Sequence, residues 1–397
     1  MKKKILLFAL MLAIALCTLV VAVGAVNGYS TFDITLTDGT KTTAYTSGVD
    51  PWEGRVYLNS TLYKGPAEAP PVGSEDIDWS GVEQFDWTEV EVLDFTNATL
   101  YVLDKNKGVY NTQAYGTNQG GTALCICLNG LNKTTQLTSL KKIITGKIVT
   151  VRGAAFNTSP ALEEIVISNG LKEIQYNAFD TCPNLKKVTV LPGSNLTSIG
   201  NQSFKNCPLL ESFELENCTV LTSIGNNVFN GCKALKSASI PNSVTSILDS
   251  CFANCSSLKS VTWPTGTTTI QNSTFYGCSS LVFSIPSNIT SIGSSAFSGC
   301  TSLTEIYIPG TVTYLGSDCF RGCTGVTKLE IHPSCSVTHI YAHTFDSVKV
   351  SNIVLPNTVQ QIGQSSLNYS NLVSINLGAS FVGFNASNAG QPPFSSG

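Results

Sequence analysis

Charge is scarce in this chain, and histidine and methionine are scarcer still. Of 397 residues, 12% are Asp, Glu, Lys or Arg, three are histidine and two are methionine. A net charge of -3 offers no basic track along which a nucleic-acid backbone could lie, so no nucleic-acid partner is expected. The histidines, His332, His339 and His343, fall in one short stretch with Cys335 nearby. A His-x3-His pair suits a metal when a helix brings both rings to one face. Here Ile340 between them belongs to an apolar step, so the two rings are expected to flank a bend, and no metal is assigned. A Ser or Thr beside these rings stays open as a nucleophile pair. With no Gly-rich phosphate loop and no nucleophile elbow in the sequence, no cofactor and no catalytic residue are expected.

Repetition is what the chain has in quantity. Phe179, Phe204, Phe229, Phe252, Phe275, Phe297 and Phe320 each stand three residues before a cysteine: Cys182, Cys207, Cys232, Cys255, Cys278, Cys300 and Cys323. The phenylalanines are 25, 25, 23, 23, 22 and 23 residues apart; Phe156 extends the series upstream, and Phe345 and Leu367 extend it downstream, without the cysteine. A period of about 23 residues belongs to a solenoid, in which one coil cannot bury its own apolar side and must stack on its neighbours.

Within the cassette an apolar triplet spaced i, i+3, i+5 follows most phenylalanines, as in Leu185/Val188/Val190 and Leu303/Ile306/Ile308. Its last two members alternate as one face of a strand does. Pro241, Pro264, Pro309 and Pro356 follow soon after and end the strand, because proline lacks the ladder donor. A second apolar step comes next, as in Leu221-Thr-Ser-Ile224-Gly225. The run before the Phe opens with Ser or Asn, and Gly231, Gly277, Gly299, Gly322, Asn206 or Asn254 stands two residues after it. Cap formers followed by residues that tolerate the left-handed region predict a single helical turn here. About ten stacked coils, with strands about 4.8 Å apart, make a stack about 50 Å long.

The recurring Leu-x-x-Ile-x-Ile-Pro, Val-Thr-x-Ile-Gly, Ala-Phe-x-Gly-Cys-x-x-Leu pattern, nearly complete from Ile308 to Cys323, resembles the BspA-like leucine-rich repeat family over about residues 140 to 378. The resemblance implies an α/β repeat solenoid, coiled right-handed with one parallel strand per repeat. It also implies a place on the surface of bacteria or parasitic protists and adhesion to host or matrix proteins. The family carries over no catalytic residue.

At the N-terminus, Lys2-Lys3-Lys4 precedes an apolar run from Ile5 to Val23, with small residues at Val23-Gly24-Ala25. Residues 1–25 therefore read as a secretory signal peptide or, given the length of the run, as an uncleaved signal anchor. Either puts the repeats outside, secreted or at the cell surface, with membrane contact only through that segment. Residues 26–130 lack the cassette, hold Trp52, Trp79 and Trp87, and carry 14 acids against 5 bases. They read as a mainly β capping region, with Phe32 to Leu36 and Asp38-Gly39 as strand and tight turn. A cap is needed because the first coil's apolar edge would otherwise meet water. Residues 131–378 form the solenoid and 379–397 a polar tail, whose lack of an anchor pattern favours a secreted product or an incomplete gene product.

Fourteen cysteines in an exported chain ordinarily suggest disulfides, yet seven share one cassette position, and Cys251 and Cys319 replace the small residue before Phe. Equivalent residues on adjacent coils lie about 4.8 Å apart with parallel Cβ vectors, whereas a bridge needs Cβ atoms about 3.8 Å apart and a dihedral near 90°. These positions are expected to be buried thiols, acting as apolar filler and weak donors to carbonyls. Disulfides, if any, belong among Cys125, Cys127, Cys218 and Cys335.

The outward strand positions run Glu163, Glu164, Lys186, Lys187, Glu211, Glu214, Lys236, Lys259, Glu305, Tyr307, Lys328 and Glu330. Sign reverses often between neighbouring coils, so in-register stacking would pair opposite charges. One reading is register control and solubility; the other is a face that contacts a protein partner, since its residues vary while the scaffold is fixed. Three functional hypotheses follow: an adhesion module that binds a protein without chemistry, a structural coat component, and an enzyme within residues 28–130.

Overall fold

A computed structural model describes residues 28–47, 49–50, 55–57, 62–64, 83–104, 109–112, 123–126, 133–368 and 371–384. The expected signal segment with Cys17, Trp52, Trp79, Cys127 and most of the expected polar tail lie outside the described residues. The chain from about residue 140 onward is a parallel β-solenoid whose coils have three sides.

The first side is the expected strand. Glu164–Ile167, Lys187–Val190 and Ser212–Phe213 pair in parallel, with Ile165 opposite Val188 and Ile167 opposite Val190. Burial alternates along the two longer strands, since Ile165, Ile167, Val188 and Val190 are buried while Glu164, Val166 and Thr189 are half-buried and Lys187 is exposed. The second apolar step proves to be a strand as well. Glu173–Ile174, Ser198–Ile199, Ser223–Ile224 and Ser246–Ile247 form a second parallel ladder of two-residue strands. The glycine after that step has a steric cause. A Cβ on Gly225 would lie 2.6 Å from Asn201 Oδ1, and one on Gly293 2.6 Å from the Asn272 nitrogen. That approach lets a ladder of side chains fasten the corner: Asn201 Oδ1 accepts from Asn226 N (2.8 Å), Asn226 Oδ1 from Asp249 N (3.1 Å) and Asn272 Oδ1 from Ser294 N (2.9 Å).

The third side corrects the sequence reading, for no helical turn forms before the phenylalanine. Residues two before and two after each ring take positive φ, as at Asn177 (53°) and Thr181 (58°), and at Ser295 (55°) and Gly299 (77°). Left- and right-handed residues alternate, so the peptide N–H groups at these positions and at the Phe all point toward the next coil. Asn177, Phe179 and Thr181 donate to the carbonyls of Asn201, Ser203 and Lys205 at 2.9, 2.8 and 2.7 Å. A left-handed L-residue costs roughly 1–2 kcal/mol, and three directed inter-coil bonds per coil offset it. Helix is confined, among the described residues, to short turns such as Lys133–Gln136 and Leu215–Asn217.

Inside, the phenylalanines line up. From Phe156 through Phe179, Phe204, Phe229, Phe252, Phe275, Phe297 and Phe320 to Phe345, successive ring centroids are 5.2 to 6.0 Å apart with planes within 27° of parallel. Each ring is at most 1% exposed. Beside this stack runs the thiol ladder: Cys182, Cys207, Cys232, Cys255, Cys278, Cys300 and Cys323 each donate Sγ–H to the carbonyl of the preceding coil's Phe at 3.0 to 3.3 Å. The eleven cysteines whose side chains are described, Cys218 and Cys335 among them and Cys125 not, are buried and unbridged. Burial pushes up the thiols of Cys182, Cys232, Cys255, Cys300 and Cys319, and those of Cys218, Cys278 and Cys323 to about 12.

Antiparallel strands Gly28–Leu36 and Lys41–Ser47 join through the expected turn at Gly39 (φ 85°). Gly28–Leu36 also pairs antiparallel with the long strand Val90–Asp104, which in turn pairs in parallel with Lys142–Ile144, Leu93 opposite Ile143. The N-terminal strands thus present the template on which the first coil is laid, and Phe32, Ile34, Leu93 and Phe95 are buried at the junction.

Candidate functional site

The outward positions of the first side, from Glu163 to Glu330, carry the charged residues of the candidate binding face, and stacking brings most of them together. Lys186 Nζ is 2.8 Å from Glu163 Oε2, Lys236 Nζ is 2.5 Å from Glu211 Oε2, and Lys187 Nζ is 3.6 Å from Glu214 Oε1. Glu164 pairs with Lys142 (2.9 Å), and Lys328 lies between Glu305 (3.7 Å) and Glu330 (3.9 Å). The Lys186 and Lys236 ammoniums hold the Glu163 and Glu211 carboxyls below their ordinary value, and Glu91 raises Lys141. Such exposed pairs contribute about 0–1 kcal/mol each, so their main effect is on register. Among the described residues the Lys259 ammonium has no carboxylate within ion-pair reach.

Glu214 has a further task. Its Oε2 accepts from the Val190 N–H at 3.1 Å, filling the ladder position beyond the short strand Ser212–Phe213. It is therefore part of the scaffold as well as of the face. Tyr307 stands 43% exposed, with the His332 ring edge-on at 6.4 Å.

Two concavities on this face were missed by sequence reasoning. One, about 730 Å³, lies where the N-terminal strands meet the first coil and mixes polar residues, Asp33, Lys41, Glu91, Asp94 and Lys142 among them, with apolar Val92 and Ile144. Asp33 there accepts from Asn97 Nδ2 at 3.1 Å. The other, about 170 Å³, is apolar at its base, with Phe283, Ile285, Phe297, Leu303, Ile306 and Phe320, and carries Ser284, Glu305 and Tyr307 as well. The only signal for the second was the 22-residue interval between Phe275 and Phe297.

The histidines occupy separate settings. His339 lies in a two-residue strand, accepting or donating at Nδ1 with Thr338 Oγ1 (2.9 Å) and stacking on Tyr341 at 5.8 Å. His343, with φ 55°, sits in the following turn with Nδ1 3.4 Å from Asp346 Oδ2. The expected bend lies between them. Ser334 Oγ is 2.6 Å from His332 Nδ1, and the Ser334 N–H donates to the same nitrogen at 3.2 Å. This is a local turn contact that fixes the ring.

With that geometry in place, comparison with known proteins is informative about the repeat. The family model described as "BspA type Leucine rich repeat region (6 copies)" matches residues 147–282 and 281–387. No curated protein matches the chain. Solved structures similar to it include a leucine-rich repeat protein from Bacteroides ovatus, 25% identical over 60% of this chain and 78% of that one, TM-score 0.35. A leucine-rich cell surface protein from Faecalibacterium prausnitzii is 19% identical over 73% and 93%, TM-score 0.36. The pneumococcal vaccine antigen PcpA is 16% identical over 87% and 81%, TM-score 0.40. These superpositions are partial, and the assignment rests on the family match, which spans more than half of the chain. The chain belongs to the BspA-type leucine-rich repeat family.

Proposed function

We propose that this protein is a secreted or cell-surface binding module that attaches to a protein partner, of host or matrix origin, through the outer face of its first sheet. The observation that carries the reading is the division of labour within each coil. Core positions repeat Phe, Cys, Leu and Ile, whereas the outward positions from Glu163 to Glu330 differ from coil to coil on a fixed scaffold and are interrupted by two concavities. The work done is binding, and the ion pairs set the register of the surface.

The test is direct binding of the full chain to a panel of purified matrix and cell-surface proteins. Saturable binding to one of them is expected, with loss of at least tenfold when Lys186, Lys187, Lys236 and Lys259 are changed together to alanine. Glu214 is left intact because it supports Val190. Unchanged binding by that variant would remove the charged face from the reading. A second reading, a coat component that assembles with itself, is favoured by the last described coil, where Val373, Val382 and Phe384 are 84%, 79% and 47% exposed. Concentration-dependent ordered assembly with no partner bound would select it.

A further inference from the structure

Strand pairing along the first side is broken at three places, between Ser212–Phe213 and Ser237–Ser239, at residues 283–285, and between Lys328–Ile331 and Asn352–Val354; the middle break is a seam with a concavity beneath it. In regular coils two residues separate the Leu after the Cys from the first inward strand residue, as between Leu258 and Val261 or Leu303 and Ile306; after Leu281 only one residue intervenes before Phe283. That missing residue accounts for the short interval and coincides with the middle break. Strands Ser260–Thr262 and Glu305–Ile308 flank this coil, yet residues 283–285 form no strand between them. The last regular bond is Val282 N to Lys259 O at 2.9 Å, and the Phe283, Ser284 and Ile285 N–H groups find no backbone acceptor.

The neighbouring coils are left open along the same line. Thr304 and Ile308 carbonyls accept from the following coil, so strand alternation turns the peptide groups of Glu305 and Tyr307 toward Phe283–Ile285. No backbone bond joins them. By the same alternation Val261 faces the seam from the other side without a partner. Trp263, packed edge-on to Phe283 at 6.2 Å, keeps its buried indole N–H without an acceptor.

Under the seam opens the 170 Å³ apolar concavity, with Phe297 and Phe320 of the ring stack among its walls. An apolar cavity of roughly 150 Å³ holds a benzene ring, so one phenyl group fits. Unpaired backbone donors and acceptors beside a pocket for one side chain are what an extended peptide requires: its main chain bonds to the edge, and one residue enters the pocket. Charge narrows the sequence. On the Glu305 side of the seam, Glu305 and Glu330 share one cation, Lys328, so that rim carries net negative charge, while Lys259, whose carbonyl accepts from Val282 N, stands on the opposite rim.

We propose that the seam at residues 283–307 binds an extended segment of a partner protein, inserting one aromatic side chain into the concavity with a basic residue beside it. The site deepens the protein-binding reading above and rests on it. Glu305 faces the basic residue, and Tyr307 covers the ring.

The test uses the full chain and three capped dipeptides: acetyl-Phe-Arg-amide, acetyl-Gly-Arg-amide and acetyl-Phe-Glu-amide. Binding is followed through the methyl resonances of Ile285, Leu303 and Ile306. The expected result is saturable shifts of these methyls with Phe-Arg, at least tenfold weaker binding of Gly-Arg, and several-fold weaker binding of Phe-Glu. Two variants close the site. Leu303→Phe fills the concavity, and inserting one serine between Val282 and Phe283 restores the regular spacing and the strand. Either should abolish the methyl shifts, and the insertion should leave the melting temperature unchanged or raised. Shifts absent with Phe-Arg, or scattered along the face, would overturn the proposal, as would equal binding of Gly-Arg. Equal binding of Phe-Glu would remove the basic residue from it. The wider reading fails separately: if Phe-Arg binds here while the full chain binds no protein in the panel, the seam stands as a ring-binding pocket and the protein-binding function does not.

Discussion

Cys255 is the sharpest place to ask what the thiol ladder does. Its Sγ is fully buried and donates to the Phe229 carbonyl at 3.1 Å, and that oxygen also accepts from the Cys232 N–H at 3.0 Å. Cys255→Ala removes one heavy atom from a packed site, about 0.8 kcal/mol by the measure of a buried methylene. It also removes a weak donor worth about 0.5–1 kcal/mol, the lower part of the hydrogen-bond range. The carbonyl keeps its backbone donor, so no full desolvation penalty is added. The sum is about 1.5 kcal/mol. Cys255→Ser supplies a stronger donor in nearly the same place, and its hydroxyl is compensated only if the carbonyl is within reach; an uncompensated buried hydroxyl costs about 1–3 kcal/mol. Ser should therefore be milder than Ala if Sγ–H donates, and harsher than Ala if the thiol is only filler. The assay is urea unfolding followed by circular dichroism, with the slope checked between variants because a repeat stack can lose two-state behaviour. A serine variant less stable than the alanine variant would refute the donor role.

Further outcomes follow from the same geometry. Phe252→Ala, in the middle of the ring stack, should cost about 3–5 kcal/mol, read as a lowered denaturation midpoint, whereas Lys186→Ala should change stability by less than about 1 kcal/mol. The buried thiols should resist alkylation at pH 8 until denaturant is added, measured by mass spectrometry of iodoacetamide adducts. The raised values of Cys278 and Cys323 also set an alkaline limit. The unfolded thiol ionises near its ordinary 9.0 while Cys278 and Cys323 hold their protons to about 12. Stability is thus fully present below pH 9 and is lost as pH rises toward 12, and the fall in melting temperature should lessen in a variant with both changed to alanine. On the acid side, the depressed Glu163 and Glu211 values mean a small stabilisation present above the ordinary 4.5 and lost as pH falls through the lowered values.

The spine was legible because it is written in identities. A Phe three residues before a Cys, repeated at near-constant spacing, leaves one arrangement in which the rings stack and the thiols reach carbonyls without bridging. Charge reversal between Glu163 and Lys186 likewise announced its ion pair. The third side was misread for a physical reason: Ser, Asn and Gly around the Phe satisfy helix-cap rules equally well. What excludes the helix is the set of bonds from Asn177, Phe179 and Thr181 to the next coil, a tertiary effect that places even Gln202 and Ser273 at positive φ. Two-residue strands such as Ser223–Ile224 are too short to show alternation. Glu214 read as one more surface charge because its bond to Val190 N–H depends on where the strand Ser212–Phe213 stops. The seam needed Phe283 and Ile285 to be placed against the flanking strands before the 22-residue interval acquired a meaning.

The claim beneath all of this is that equivalent side chains of successive coils lie over one another in one continuous stack. A crystal structure of the chain measures it directly, through the ring-centroid spacings from Phe156 to Phe345. The account predicts 5.2 to 6.0 Å at every step with the flanking thiols reduced. A break beyond about 7 Å, the limit of an aromatic pair, or a disulfide within the ladder would contradict it.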